Sequence, residues 1–257
     1  MQTGELLDKV IAAHGGRERW RAVETIEAAV SSGGLAFTSH LQPFALRNLR
    51  LSLSPHAQRA VLHGYCRHGW QGVWTPTLVH ILDTNGRVVA DRRDPRLSFS
   101  RLDRKVRWDK LDLLYFAGYA LWNYLSFPFI LENPGVDIVA AHEATNGGLQ
   151  RLTVRFDESV PTHSRAQEFH LDAAGLLRRH DYTADVIGRW ATAANLCLAS
   201  TVVGDLRFYT RRQVYPRLGG AAVLPFPRLV WIAIDDIRVV PGDDPGSARS
   251  SAAVPGS

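Results

Sequence analysis

Residues 108–129, WDKLDLLYFAGYALWNYLSFPF, form a helical pattern that is apolar over most of its circumference. One face carries leucines and a glycine at helical spacing, and the next face carries aromatic rings: Leu114, Gly118, Leu121 and Leu125, then Tyr115, Tyr119 and Trp122. Pro128 ends the pattern, because proline cannot continue a helix. A helix with so little polar surface has to be covered on two sides, so the rest of the chain must supply that cover.

Most of the remaining chain consists of short strand-like segments separated by turns. The clearest is residues 77–94, in which Asn85-Gly86, a dipeptide typical of tight hairpin turns, separates two apolar runs. About ten to eleven such segments, largely in hairpins, predict antiparallel pairing. Residues 4–14 predict an amphipathic helix that ends at Gly15 and Gly16.

These elements predict an α+β fold that is mainly β, with helices packed on one face of an antiparallel sheet. We expect one domain over residues 1–240. Within it, residues 184–200 are expected to form a loop. The tail, residues 241–257, is rich in proline, glycine, serine and alanine and is expected to be disordered.

Composition narrows the class of protein. The net charge is +5, but it comes almost entirely from arginines that are scattered among acids, so we expect no nucleic-acid partner. No run of 18 apolar residues occurs, which argues against stable insertion in a membrane. The N-terminus lacks a secretory pattern, so we expect a cytoplasmic protein in which Cys66 and Cys197 are reduced.

The chain resembles the lipoprotein-carrier superfamily of LolA, LolB and LppX. The resemblance rests on His14-Gly15-Gly16 at the end of the first helix, on Trp20 in the following turn, and on EFHLDAAGLLRRHDY at 168–182. It covers residues 4–32 and 150–240, and it is closer to a cytoplasmic bacterial branch than to the exported carriers.

The resemblance implies a strongly curved antiparallel sheet, a half-barrel closed by helices, whose concave face holds an acyl chain or another hydrophobic ligand. Two features depart from the carriers, namely the absence of an export signal and the aromatic segment 108–129. They imply a guest other than a lipoprotein.

The hairpin at 168–182 contains the candidates for acid–base chemistry. If Ala173-Ala174-Gly175 forms the turn, Asp172 pairs with Leu176, and constant register then places His170, His180 and Tyr182 on one face. Histidine titrates near pH 7, so His170, His180, Asp181 and Tyr182 are candidate catalytic residues. The alternative is a solvated outer face with cross-strand charge pairs, and a two-residue turn would shift the register by one.

A second group of residues is predicted to bind a ligand, because small-molecule pockets are mostly apolar and aromatic with a few orienting polar groups. The candidates are Trp108, Tyr115, Tyr119 and Trp122 on the helix, and Arg212. Arg211 and Arg212 point to opposite faces of a strand, so one of them can hold a ligand carboxylate from the concave side. Alternatively the rings are ordinary core and the arginines form surface ion pairs.

Metal and cofactor sites are not predicted. A strand cannot direct His63, Cys66 and His68 to one point, and the chain has no GxSxG elbow, P-loop or GxGxxG sequence. We therefore predict a protein that binds a hydrophobic or amphipathic small molecule, acyl or polyketide-like. The alternatives are an enzyme that uses the same cavity, such as a biosynthetic cyclase, an isomerase or a hydrolase, and a partner-binding module. The sequence does not indicate the oligomeric state.

Overall fold

One antiparallel sheet runs through nearly all of the protein. The structure is a computed structural model that describes residues 3–144, 148–218 and 222–242. The strands in chain order are β1 Val23–Gly33, β2 Leu49–Ser54, β3 Arg59–His63, β4 Gln71–Trp74, β5 Leu78–Leu82, β6 Val88–Arg93, β7 Val136–His142, β8 Gln150–Phe156, β9 Ala166–Leu171, β10 Leu177–Thr183, β11 Thr192–Val203, β12 Leu206–Leu218, β13 Ala222–Val223 and β14 Val230–Pro241. Their spatial order is β6-β5-β4-β3-β2-β1-β14-β12-β11-β10-β9-β8-β7, and β13 pairs with β12.

The described part of the chain has four α-helices, which lie between strands or before the first strand. They are α1 Thr3–Ala13, α2 Arg17–Arg21, α3 Leu35–Ser39 and α4 Lys110–Ser126, with 3₁₀ turns at Pro95–Ser100, Leu102–Lys105 and Phe129–Glu132. The end strands β6 and β7 each have one neighbour, so the curved sheet stays open as a half-barrel. The predicted fold class, mainly β with a curved antiparallel sheet, is confirmed.

The sheet contains more strands than the sequence predicts. The largest difference is β11, since a loop was expected over 184–200 and the structure has strand from Thr192. Its first half does not alternate, because Ala193, Ala194 and Asn195 are all buried. Without a period of two, the sequence pattern does not reveal the strand. Of the tail predicted to be disordered, 241–257, Pro241 ends β14, and residues 243–257 lie outside the described residues.

Helix α4 lies in the concave side of the sheet, packed against β3 to β6 on one side and β12 on the other. All of its residues from Leu111 to Ser126 are buried, so the predicted cover on two sides is present. Its start is held by a capping box between Asp109 and Asp112. Arg92 forms ion pairs with both carboxylates, at 2.6 Å each.

Helix α1 covers one end of the half-barrel. It ends at Ala13, just before the predicted stop at Gly15 and Gly16, and His14 Nε2 lies 2.9 Å from the hydroxyl of Tyr209 on β12. A Cβ at Gly15 would lie 2.4 Å from the Asp205 carbonyl oxygen, so only glycine fits this close contact. At the opposite end, which we call the mouth, β1 and β12 end and β11, β14 and α4 begin. No helix of the described residues is long and apolar enough to cross a membrane.

Candidate functional site

Arg212 is the most unusual residue of the concave face. It lies on β12 between Cys197 of β11 and Ile232 of β14, and only 1% of its surface is exposed. Its Nη1 donates to Cys197 Sγ at 3.1 Å, and its guanidinium lies 4.5 Å from the centre of the Tyr124 ring. Nε and Nη2 have no hydrogen-bond partner, and no carboxylate of the described residues forms an ion pair with it.

A guanidinium in this position is costly. A buried charge normally needs a counter-ion and a full set of hydrogen bonds, and here cation–π contacts with Tyr124 and Tyr209 supply only part of the compensation. The side chain of Asn195 is also fully buried without a hydrogen bond of ordinary geometry, although it approaches the Tyr124 hydroxyl. Arg212 and Asn195, which both lie next to Tyr124, therefore have buried polar atoms that lack an ordinary hydrogen bond among the described residues.

Two cavities adjoin Tyr124. The arginine cavity has about 240 Å³ of atom-free space, a volume that includes open solvent, and has room for about one water molecule. It is lined by Asn123, Tyr124, Phe127, Ile130, Phe169, Leu177, His180 and Arg212. The apolar cavity is larger, with about 490 Å³ of atom-free space, open solvent included, and room for about two or three water molecules. It is lined by Val30, Ser32, Phe37, Leu46, Leu49, Leu62, Phe116, Ala117, Ala120, Leu121, Tyr124, Tyr182, Val214, Val230 and Ile232.

A hydrogen-bonded group of rings surrounds His163, which precedes β9. Its Nδ1 lies 3.2 Å from the Tyr119 hydroxyl and its Nε2 lies 2.8 Å from the Tyr124 hydroxyl. The imidazole stacks on Tyr182 with 3.9 Å between ring centres. Burial lowers the pKa of His163 to about 3, and the charges of Arg96 and Arg212 lower it further in the same direction. The ring is therefore neutral at pH 7.

This lowered pKa predicts an acid-sensitive fold. The unfolded chain binds a proton at His163 below about pH 6.5 while the folded chain does not, so stability falls as the pH falls from 6.5 towards 3. Between pH 7 and pH 5 we expect His163 alone to account for a loss of about 2 kcal/mol in the free energy of unfolding. Urea unfolding at both pH values measures it. His163→Asn should remove that part of the loss and exposed His68→Asn should not; an unchanged loss in His163→Asn would contradict the assignment.

No protein-family model and no curated protein matches the chain. Among solved structures, a LolA superfamily protein from Nitrosomonas europaea superposes with a TM-score of 0.51 at 9% identity, covering 96% of both chains. The chain shares its overall fold with that protein. A DUF1329 family protein from Desulfovibrio piger gives a TM-score of 0.44 at 10% identity over 92% of each chain. The lipoprotein LppX from Mycobacterium tuberculosis gives 0.27 at 12% identity over 92% of this chain and 96% of that one.

In this LolA-type half-barrel the four predicted catalytic residues lie on two faces of the sheet. His180 and Tyr182 point into the concave interior, whereas His170 and Asp181 contact each other on the convex face, with 3.1 Å between Nε2 and Oδ2. The predicted common face for His170 and His180 is therefore wrong. These four residues cannot act together on one substrate.

A β-bulge causes this difference. The turn is the predicted one, since Asp172 pairs with Leu176, Gly175 has a φ of 82°, and Leu171 faces Leu177. The register then shifts between Leu177 and Arg179, so that His180 pairs with Phe169 instead of Glu168. One extra residue in β10 reverses the face of every following side chain relative to β9.

The convex group is an ion-pair network. Asp181 accepts two hydrogen bonds of 2.6 Å from Arg179 and lies 3.3 Å from Arg217. Burial alone would raise the pKa of Asp181, but the hydrogen bonds from His170 and Arg179 outweigh burial and lower it. One group of possible metal ligands occurs among the described residues, with ligand atoms within 4.8 Å of one another: Glu168, His170 and Asp181. The other candidates, His63, Cys66 and His68, do not converge on one point. A metal ion at Asp181 would compete with the arginines that already neutralise it.

The predicted ligand-binding residues do not all line one cavity. Arg212 lines the arginine cavity, as expected for an arginine on the concave side. The four predicted aromatic residues on or next to α4 are buried but do not line the apolar cavity, namely Trp108, Tyr115, Tyr119 and Trp122. Trp108 stacks on His40, and Trp122 Nε1 donates to the Pro55 carbonyl. The cavity wall is the neighbouring stripe of α4, namely Phe116, Ala117, Ala120, Leu121 and Tyr124.

Sequence reasoning missed two polar residues of the interior. His163 lies in the segment PTHS between two strands, where a polar turn is the ordinary interpretation. Asn195 lies two residues before Cys197 on a strand whose alternation is broken. An asparagine in the otherwise apolar run ANLCL was the one available signal for a buried polar group.

Proposed function

We propose that the protein binds an amphipathic small molecule with an anionic end, with its apolar part in the apolar cavity and its anionic end at Arg212. The observation that carries the proposal is the buried guanidinium, which has no carboxylate partner among the described residues. A ligand carboxylate would supply the missing charge and could accept hydrogen bonds from Nε and Nη2 in a bidentate pair.

The position of Tyr124 supports one continuous site. Tyr124 lines both cavities, and the arginine lies over its ring. A rotation of this one side chain would join the apolar cavity to the arginine cavity. The lining is almost entirely apolar on one side of Tyr124 and contains Arg212, Asn123 and His180 on the other, which is the distribution that a guest with a tail and a polar head requires.

The guest must displace side chains to enter, since the two cavities now have room for only a few water molecules. On the α4 wall, Ala117 and Ala120 are already small, so the side chains that must move are Phe116, Leu121 and Tyr124. The carrier resemblance of the sequence favours an acyl chain or a polyketide-like compound as the tail. A cytoplasmic location stays a prediction.

The proposal predicts selective binding of the acid form of a lipid. Protein purified from its own host should carry a small molecule in native mass spectrometry, and denaturing extraction then identifies its chemical class. With emptied protein, hexadecanoic acid should bind about 10- to 100-fold more tightly than its methyl ester, because the ester cannot form a charge-assisted pair with Arg212. Titration calorimetry with both compounds measures the ratio. Equal affinities, or no binding of either compound and no co-purified molecule, would contradict the proposal.

The enzyme alternative is less well supported by the interior. Burial lowers the pKa of His180 well below its ordinary value, and the charge of Arg212 lowers it further. His180 Nε2 is already hydrogen-bonded to Gln167 Oε1 at 2.6 Å. A neutral, weakly basic imidazole held in this way is suited to lining a pocket rather than to transferring protons near pH 7.

A further inference from the structure

The mouth of the half-barrel exposes large apolar side chains. Phe44, Trp190 and Phe226 are 73%, 79% and 79% exposed. We call the group formed by Leu35, Leu41, Phe44, Leu102, Val106, Trp190 and Phe226 the mouth surface. Scattered apolar residues are normal on a surface, but a concentration of them at one end marks an interaction site.

Contacts between loops place these residues at the same end. The Leu35 and Ala36 amides bond to the carbonyls of Arg228 and Leu229. Leu35 and Phe226 line a common groove. The Trp108 amide donates to the His40 carbonyl, and Lys105 Nζ donates to the Ile187 carbonyl, which brings 102–108 to both 40–44 and 187–190.

The charge between these side chains is positive. Five cations on the same loops are exposed, and none of them forms an ion pair with a carboxylate of the described residues. They are Arg47, Lys105, Arg107, Arg189 and Arg228. The carboxylates of these loops are already matched, since Asp103 pairs with Arg101, Asp109 with Arg104, and Asp185 lies 4.0 Å from Arg96. Arg47 lies over the Trp231 ring at 4.4 Å and Lys105 bonds to a carbonyl, contacts that leave both charges in place. Aromatic and apolar side chains among cations that no carboxylate of the described residues neutralises fit an anionic lipid surface.

The backbone holds two of these side chains outward at a cost. Leu41 and Phe44 have φ values of 60° and 63°, a left-handed conformation that bulky residues rarely adopt. Such strain persists where the surrounding structure imposes it and is often linked to function. Here it directs both side chains into water, with the Arg47 guanidinium 5.6 Å from the centre of the Phe44 ring.

The same segment covers the apolar cavity from the other side. Phe37 and Leu46 line the cavity, while Leu41 and Phe44, between them in sequence, are exposed at the mouth. We propose that the mouth surface docks on an anionic lipid bilayer, with Phe44, Trp190 and Phe226 at the depth of the headgroups and the five cations against lipid phosphates. The 35–47 segment then lies between the bilayer and the cavity. This inference goes beyond the proposed function and does not depend on Arg212.

Flotation with vesicles tests the inference. Full-length protein should float with vesicles of equal parts phosphatidylglycerol and phosphatidylcholine, and much less with pure phosphatidylcholine or at high salt. Arg47→Gln with Arg228→Gln should lower the partition coefficient about 25-fold, at about five-fold for each arginine. Phe44→Ser should lower it by removing an inserted ring.

The matched control is Arg21→Gln with Arg59→Gln, which removes the same charge from exposed positions on α2 and at the start of β3, at the end of the sheet away from the mouth. Circular dichroism checks that all variants fold. Absence of flotation with anionic vesicles, or an equal loss in the control, would overturn the inference. So would self-association without vesicles that Phe44→Ser abolishes, because the mouth would then bind a second copy. Arg212→Met should float normally while failing to bind hexadecanoic acid, which separates docking from ligand binding.

Discussion

Arg212→Met is expected to raise the free energy of unfolding by about 2 kcal/mol and at the same time to abolish the preference for an acid over its ester. Methionine keeps an unbranched apolar chain and removes a charge that is 1% exposed and lacks a counter-ion among the described residues. Replacement of buried charges by apolar residues is often stabilising. The gain should appear as a rise of about 6 °C in Tm.

Arg211→Met is the matched control, because the neighbouring arginine points to the other face and pairs with Asp235 at 2.7 Å. That pair is about half exposed, so the change in stability should stay within about 1 kcal/mol and binding should be unaffected. If Arg212→Met instead destabilises the protein and leaves acid binding intact, the guanidinium is a structural group held by Cys197 and Tyr124. A gain in stability with loss of binding would indicate a residue kept for function.

The strongest local patterns of the sequence predicted the elements that define the fold. The apolar circumference of 108–129 required cover on two sides, and α4 lies inside the curve of the sheet. Alternation in YTRRQVYPR separated Arg211 from Arg212, and the structure buries one and exposes the other. These predictions needed only the helical period and the period of two.

The details of the site depended on features without a local pattern. The bulge in β10 arises from pairing between strands, and nothing in LLRRHDY shows which residue is the extra one. The stripe of α4 that faces the cavity is set by the sheet around it, since α4 is apolar on nearly every face. His163 reaches the interior because a loop folds inward against Tyr119 and Tyr124.

Gly118→Ala is expected to destabilise the protein by about 3 kcal/mol or more, although alanine is the better helix former. A Cβ at Gly118 would lie 2.2 Å from Cγ and 2.5 Å from Cβ of Trp74, which is fully buried on β4. The indole cannot move away, because its attachment to the backbone is itself in the clash, so α4 would have to shift away from the sheet.

Thermal unfolding should show a fall of about 10 °C in Tm for Gly118→Ala. Gly4→Ala is the control, since Gly4 lies in α1 and a Cβ there meets no atom within 4 Å. This second variant should be neutral or stabilised by up to about 1 kcal/mol. Equal stability of the two variants would mean that α4 is not seated against Trp74. The cavity proposed for the ligand would then have a different wall, because Phe116, Ala117 and Ala120 are placed by the same contact between helix and sheet.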